Sequence, residues 1–250
     1  MEERTVVITG GGKGIGAAIS RAFHAHGYHV VIGSRNDSGL AAELGERSLF
    51  HPTDVRKPQA LHALAERAVE WTGRLDVMIN NAGVSWWKPI EEIDETFWNR
   101  LIEINLRGTF FGSQAAAENL QPGGSIINIS SLAGKRGSAN NSVYCASKFG
   151  VNGITQALSK ELGPRGIRVN AVCPVYVQTE GLLEALKEKN APAQGDNVER
   201  YLQDFTVANA ALQRLPTGDE IAQVCLFLAS SGASAITGQC INVDCGVLPG

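Results

Sequence analysis

The sequence predicts an α/β protein whose parallel sheet is covered by helices on both faces. Six short apolar runs, rich in β-branched residues and bounded by turn residues, recur along the chain. They are TVVIT (5–9), HVVIG (29–33), LDVMIN (75–80), SIINIS (125–130), IRVNAV (167–172) and CINVD (240–244). Stretches with helical spacing of apolar residues separate them, such as ALHALAERAVEW (60–71) and EIAQVCLFLAS (220–230). Strands buried on both faces read as continuous apolar runs, and parallel neighbours need a crossover that a helix supplies. No repeat, low-complexity tract or linker interrupts the alternation, so residues 1–250 are expected to form one domain.

Taken in order, the first strand runs directly into TGGGKGIG (9–16) and then the helical stretch AAISRAF. A strand, a glycine turn and a helix start make a dinucleotide-binding arrangement. Gly10 permits the tight turn, while Gly12, Gly14, Ile15 and Gly16 let backbone and pyrophosphate approach each other. The second strand ends in VVIGSRN (30–36), where a protein selecting NAD usually places a carboxylate for the ribose 2′-hydroxyl. Here that place holds Ser34 and Arg35, with Lys13 inside the glycine turn. A hydroxyl and two cations suit a 2′-phosphate, so NADP(H) is favoured over NAD(H).

The fourth quarter of the chain is less regular. Residues 180–216 insert two helical stretches around NAPAQGD, after a strand, where a lid over the sheet's carboxyl edge would sit. Thr217 and Glu220 then have capping-box spacing for the last helix. The runs 97–120 and 143–163 are helical with apolar residues on more than one side, so one face has to meet something other than the sheet.

Composition narrows the partners. The net charge is −3, with 44% hydrophobic and 19% charged residues. No basic block appears, so nucleic acid and anionic membrane are not expected partners. No run approaches the ~18 apolar residues of a spanning helix, and MEERTVVITG does not read as a secretory signal. The cysteines (145, 173, 225, 240 and 245) are odd in number and lack framework spacing, which suggests reduced thiols and a cytoplasmic protein. His24 and His26 would point to different helix faces, so no metal site is expected.

The chemistry concentrates in the middle. NNAG (80–83) ends a strand, and its asparagines can tie the backbone to the neighbouring strand. IEINLRG (102–108) places the amide of Asn105 among apolar neighbours. IINISSLAG (126–134) ends a strand at Ser130 and Ser131. YCASK (144–148) places Tyr144 and Lys148 four apart, on one face of a helix, with small residues between them. A free tyrosine has pKa ~10, a poor match to neutral pH in either direction. An ammonium nearby, and the positive nicotinamide of an oxidised cofactor, would favour the phenolate, so a lowered Tyr144 pKa is expected.

With RVNAVCP (168–174) and Thr179, these motifs resemble the short-chain dehydrogenase/reductase family in its form of about 250 residues, over nearly the whole chain. The resemblance implies a Rossmann-type, doubly wound, seven-stranded parallel sheet and a catalytic Asn105–Ser131–Tyr144–Lys148 tetrad. It places Asp54 and Val55 against adenine, and Asn81, Ala82 and Gly83 beside the ribose and pyrophosphate. It places Pro174, Val177 and Thr179 near the nicotinamide, and gives Tyr144 and Lys148 cofactor contacts too. Lys148 would hold the nicotinamide ribose, and Asn105 would order a water that passes protons to Lys148. The implied reaction is interconversion of a carbonyl and a secondary alcohol, in a homotetramer. Two positions depart from the family. Val175 stands where Gly is common, which predicts a reshaped turn, and Cys245 stands where Gly is usual, which predicts altered packing.

Substrate choice is expected to rest on Trp86, Trp87, Lys135, Arg136, Val175, Tyr176 and the 180–216 insert. A sugar-derived or small ketone is the first reading and a 3-oxoacyl-carrier-protein substrate the second. A non-catalytic nucleotide sensor, and an epimerase or dehydratase with tightly held NAD, are more distant alternatives.

Overall fold

The computed structural model describes residues 3–195 and 197–249. Seven strands form one sheet: β1 (Thr5–Thr9), β2 (His29–Ser34), β3 (Ser48–Pro52), β4 (Leu75–Asn80), β5 (Leu120–Ile129), β6 (Arg168–Pro174) and β7 (Cys240–Val243). All neighbours are parallel, in the order β3-β2-β1-β4-β5-β6-β7. The helices are α1 (Gly14–Ala25), α2 (Leu40–Leu44), α3 (Pro58–Thr72), α4 (Glu95–Ile102), α5 (Gly108–Asn119), α6 (Ser142–Leu162), α7 (Glu180–Leu186), α8 (Val198–Asn209) and α9 (Gly218–Ala229).

Six strands coincide with the apolar runs. The seventh, β3, does not announce itself: SLFHP is an edge strand, only half-buried along most of its length and closed by Pro52. It has one neighbour, so its sequence need not be apolar on both faces.

The pleat divides the core into two layers. Val6, Ile8, Val30, Ile32, Val77 and Ile79 pack with Ile19 and Phe23 of α1 and with Ile221, Cys225 and Leu228 of α9. The intervening Val7, Val31 and Met78 pack on the other face with Leu61 and Leu64 of α3 and Ala115 and Ala116 of α5. Each fully buried aliphatic side chain contributes roughly 1.5–3 kcal/mol, so both faces hold the sheet. The expected capping box at Thr217–Glu220 starts α9.

The strand order reverses between β1 and β4, and there the carboxyl ends open a crevice. Around it the helical run 97–120 is not uniform. Glu103–Arg107, between α4 and α5, forms a π-helical turn that contains Asn105. The 180–216 insert supplies α7 and α8 on either side of its break, as expected, apart from residue 196, which lies outside the described residues.

The two departures from the family have different outcomes. Val175 is not among the residues with positive φ, so its backbone needs none of glycine's freedom. Cys245 has φ 55°, a left-handed conformation that costs a non-glycine residue about 1–2 kcal/mol. Glycine would relieve this but loses about 0.5–1 kcal/mol in chain entropy. Cys245→Gly should therefore raise the unfolding free energy read from urea denaturation by about 0.5 kcal/mol; a fall would show that the thiol's packing outweighs the backbone strain.

Candidate active site

The glycine turn is shaped by what surrounds it. Gly10 and Gly14 have φ of 65° and 53°. A Cβ on Gly16 would overlap the Gly10 carbonyl oxygen and lie 2.5 Å from Asn81 Nδ2. Asn81 in turn anchors the turn: its Nδ2 donates to the carbonyls of Thr9 (3.0 Å) and Gly10 (3.2 Å). The backbone N–H groups of Asn81 and Ala82 both donate to the Thr9 hydroxyl, at 3.0 and 3.1 Å. The NNAG segment thus ties β4 to β1, as its sequence suggests. Its first asparagine serves another purpose. Asn80 Nδ2 donates to Ser113 Oγ (3.0 Å) and Asn128 Oδ1 (2.9 Å), and Asn128 Nδ2 donates to Thr155 Oγ1 (2.9 Å). This buried polar chain crosses from α5 to α6 beneath the crevice.

A cavity of about 920 Å³ runs from Gly10, Gly14 and Gly16 to Ser131, Tyr144 and Lys148. Lys13, Ile15, Ala82, Gly83, Pro174, Val177 and Thr179 also line it. Thr179 caps α7 by accepting from the Leu182 N–H at 3.2 Å. Its methyl lies 3.3 Å from where a Gly14 Cβ would be, so the two sides of the cavity meet there.

Gly12 in the turn after β1, Ser34 at the end of β2, Arg35 just past it, and Asp54 and Val55 after β3 lie outside that cavity. Arg35 is exposed and its charge reaches Asp54. Arg56 grips the Asp54 carboxylate with contacts of 2.6–3.1 Å, holding its pKa down to about 2. Val55 packs against Gly108. Asp37, the acidic residue next after the β2 end, turns away to accept from the Gly39 N–H at 2.8 Å. Ser38 Oγ lies 2.5 Å from the place of a Gly12 Cβ and joins the polar groups around the turn. The sequence reading missed Ser38; its signal was a second hydroxyl four residues after Ser34.

At the inner end, α6 brings Tyr144 and Lys148 to the cavity. Lys148 is 4% exposed, and its Nζ donates to the Ile129 carbonyl at 2.8 Å. Burial pulls its pKa down to about 8. Its Nζ lies 5.8 Å from the centre of the Tyr144 ring. Tyr144 and Ser131 line the same end of the cavity, and Ser131 caps the next turn by accepting from Ala133 N–H at 3.1 Å. The expected drop in the Tyr144 pKa does not occur in the protein alone. Desolvation outweighs the help from Ser131 and pushes the phenol up to about 12.

Asn105 is fully buried. Its Oδ1 accepts from Val84 N–H and its Nδ2 donates to the Val84 carbonyl, both at 2.9 Å, with Ser147 Oγ 3.3 Å from Nδ2. The amide thus clamps the loop after NNAG to α6. A π turn is a frequent way to aim such a residue.

Both tryptophans line the cavity. Trp87, 5% exposed, packs with Ala185, Leu186 and Leu202 of the insert. Trp86 is half-exposed under the Arg100 guanidinium, 4.4 Å from the ring centre. Val175, Tyr176 and Arg136 are also in the lining. Lys135 is not; its Nζ donates to the Cys240 carbonyl at 2.6 Å, on the β7 side. The insert adds an aromatic cluster that the sequence did not single out. The Tyr176 hydroxyl meets that of Tyr201 at 3.1 Å, and its ring stands edge-on to Phe205 at 4.9 Å.

A glycine cradle that a Cβ would fill, continuous with a Tyr–Lys pair whose lysine is buried, fits a nicotinamide dinucleotide and defines an oxidoreductase of the dinucleotide-binding α/β class. A family model described as enoyl-(acyl carrier protein) reductase matches residues 10–248. An uncharacterized oxidoreductase of Methylorubrum extorquens is 38% identical, over 99% of this chain and 98% of its own length. A probable galactose dehydrogenase of Rhizobium meliloti is 34% identical, over 99% and 96%. An actinorhodin polyketide ketoreductase, solved with NADPH, superposes with a TM-score of 0.90 at 32% identity, covering 98% of this chain and 97% of that one. The chain belongs to the short-chain dehydrogenase/reductase family and is an oxidoreductase that interconverts a carbonyl and an alcohol.

Proposed function

We propose that this enzyme is an NADP(H)-preferring carbonyl reductase, reversible as a secondary-alcohol dehydrogenase, with Tyr144 as its proton donor and acceptor. One observation carries the reading: Tyr144, Ser131 and Lys148 converge at the inner end of the cavity that begins at the glycine turn. The cofactor would be held by Gly10, Gly14, Ile15, Gly16, Asn81, Ala82 and Gly83, by Pro174, Val177 and Thr179, and by Lys148. When bound, it supplies or accepts the hydride. The protein's own groups do the rest. Burial keeps the Tyr144 phenol protonated at neutral pH, so it can give its proton to a carbonyl oxygen that is gaining charge. The Ser131 hydroxyl donates to the same oxygen, where charge appears only as the reaction proceeds. The Lys148 ammonium then compensates the phenolate left behind. Asn105 fixes the 84 loop and Ser147, and with them the seat of α6.

NADP(H) preference rests on Lys13, Ser34, Ser38 and Arg35 around the outer end, and on the engagement of Asp37 and Asp54 elsewhere. Arg35→Ala should weaken NADPH binding about 10- to 100-fold, the worth of a charge-assisted contact, and leave NADH within about twofold. Equal loss for both cofactors, measured by titration, would remove Arg35 from 2′-phosphate recognition.

The Tyr176, Tyr201 and Phe205 cluster and the packing of Trp87 on the insert support reading 180–216 as a lid that shapes the substrate end. Trp98, Phe110 and Phe149, exposed on α4, α5 and α6, support a homotetramer. Five free cysteines fit a reducing cytoplasm. Among the described residues no helix is long and apolar enough to cross a membrane.

The test is NADPH oxidation, followed by its absorbance, over sugar ketones, small and cyclic ketones, and acetoacetyl thioesters. Turnover of thioesters above all others would select the 3-oxoacyl reading. No turnover anywhere, with NADPH binding intact, would leave a nucleotide-binding protein without this chemistry.

A further inference from the structure

The cavity contains a cation for which the proposed proton transfer has no use. Arg136 follows the short 3₁₀ turn Leu132–Gly134, and its backbone N–H is fixed to the Leu132 carbonyl at 3.0 Å. The residue is half-buried and lines the substrate end. Other arginines of this chain are engaged. Arg21, Arg56 and Arg214 each grip a carboxylate, and Arg100 lies over Trp86. Among the described residues, neither a carboxylate nor a carbonyl binds the Arg136 guanidinium. Its charge reaches the Tyr176 phenol instead. A guanidinium partly withdrawn from water and lacking a counter-charge is a standing electrostatic cost, and an arriving anion would offset it.

The neighbours define what kind of anion fits. Trp86, Trp87, Tyr176 and Phe205 bring aromatic rings to the same cavity. Its acidic groups, Glu180, Glu184 and Glu188, all belong to α7 or the turn just after it. Glu184 is paired with Lys187 at 2.7 Å. A substrate anion is repelled from that side and attracted to the Arg136 side. The guanidinium fork matches a carboxylate in two parallel hydrogen bonds, which fixes direction as well as position.

We propose that the substrate is a ring-bearing oxo-carboxylate, bound with its carboxylate on Arg136, its ring among the aromatic side chains and its carbonyl at Tyr144 and Ser131. This rests on the carbonyl-reductase reading only for the last of those contacts, so the two can fail separately.

Benzoate and benzamide, equal in shape and different in charge, are titrated calorimetrically into the protein saturated with NADP⁺. Benzoate should bind at least about 10-fold more tightly, the ratio should collapse to within about twofold in Arg136→Gln, and Arg136→Lys should keep part of it. A ratio near one in the wild type, or one that survives Arg136→Gln, overturns the assignment. In turnover, 4-acetylbenzoate should exceed its methyl ester about 10-fold in kcat/KM, and Arg136→Gln should erase that preference. Equal reduction of acid and ester also overturns it. If neither is reduced while the benzoate preference depends on Arg136, the anion site stands and the placing of the ligand's carbonyl at Tyr144 and Ser131 is overturned.

Discussion

Tyr144→Phe is expected to lower kcat/KM for carbonyl reduction by at least about 10³-fold while NADPH binding stays within about threefold. General acid catalysis by a positioned group is worth 10²–10⁴-fold, and the phenol lines the cavity beside Ser131. The substitution keeps the ring and removes a single hydroxyl. Ser131 retains its bond from Ala133 N–H, so the fold should lose only about 1 kcal/mol. The glycine turn, Asn81 and Lys148 are untouched, which is why cofactor affinity serves as the control. A retained rate would reject Tyr144 as the acid.

The direction of the pH dependence follows from the same geometry. Burial pushes the phenol up to about 12, so in the protein alone it is protonated throughout the neutral range and suited to reduction. Alcohol oxidation needs the phenolate. Its rate should therefore rise with pH, whereas reduction should fall only on the alkaline side. A positive oxidised cofactor draws the phenol's pKa down and brings the rise to lower pH. An oxidation rate that fell between pH 7 and 9 would contradict this assignment of the base.

The glycine turn, NNAG, NISS and YCASK were legible because each is a local pattern whose spacing implies its own geometry: a turn before a helix, or two side chains on one helical face. What was not legible depends on contacts between distant segments. The polar chain Ser113–Asn80–Asn128–Thr155 joins four elements, and nothing in any one of them shows that its hydroxyl or amide has a buried partner. The raised Tyr144 pKa of the protein without cofactor was not legible for a related reason. Spacing reveals that a lysine is near, but the depth of burial, which decides whether desolvation wins, is a property of the whole packing. The π turn at Asn105 follows an apolar pattern that an ordinary helix would also satisfy, and β3 lacks the two-sided apolar signature of its neighbours. Val175 takes a backbone conformation open to any residue, in keeping with a valine where glycine is common.

Lys148→Met should abolish turnover, by more than about 10²-fold, and yet make the cofactor-free protein more stable. Lys148 is buried at 4% exposure, and its pKa falls from an ordinary value near 10.5 to about 8. Keeping that ammonium charged at pH 7 therefore costs the fold about 3 kcal/mol. Its bond to the Ile129 carbonyl returns about 1 kcal/mol, and methionine would leave that carbonyl unpaired while filling a similar volume. The net expectation is a gain of about 1–2 kcal/mol, read from urea unfolding at pH 7. The pH dependence distinguishes this cause from better packing. Between pH ~8 and ~10.4 the unfolded wild-type chain holds more protons on this lysine than the folded one does, so wild-type stability rises with pH there. The variant has no such rise, so its advantage should be greatest below pH 8 and shrink toward pH 10. A variant less stable at pH 7, or an advantage that grows with pH, would mean that the buried charge is not what the active site trades for function.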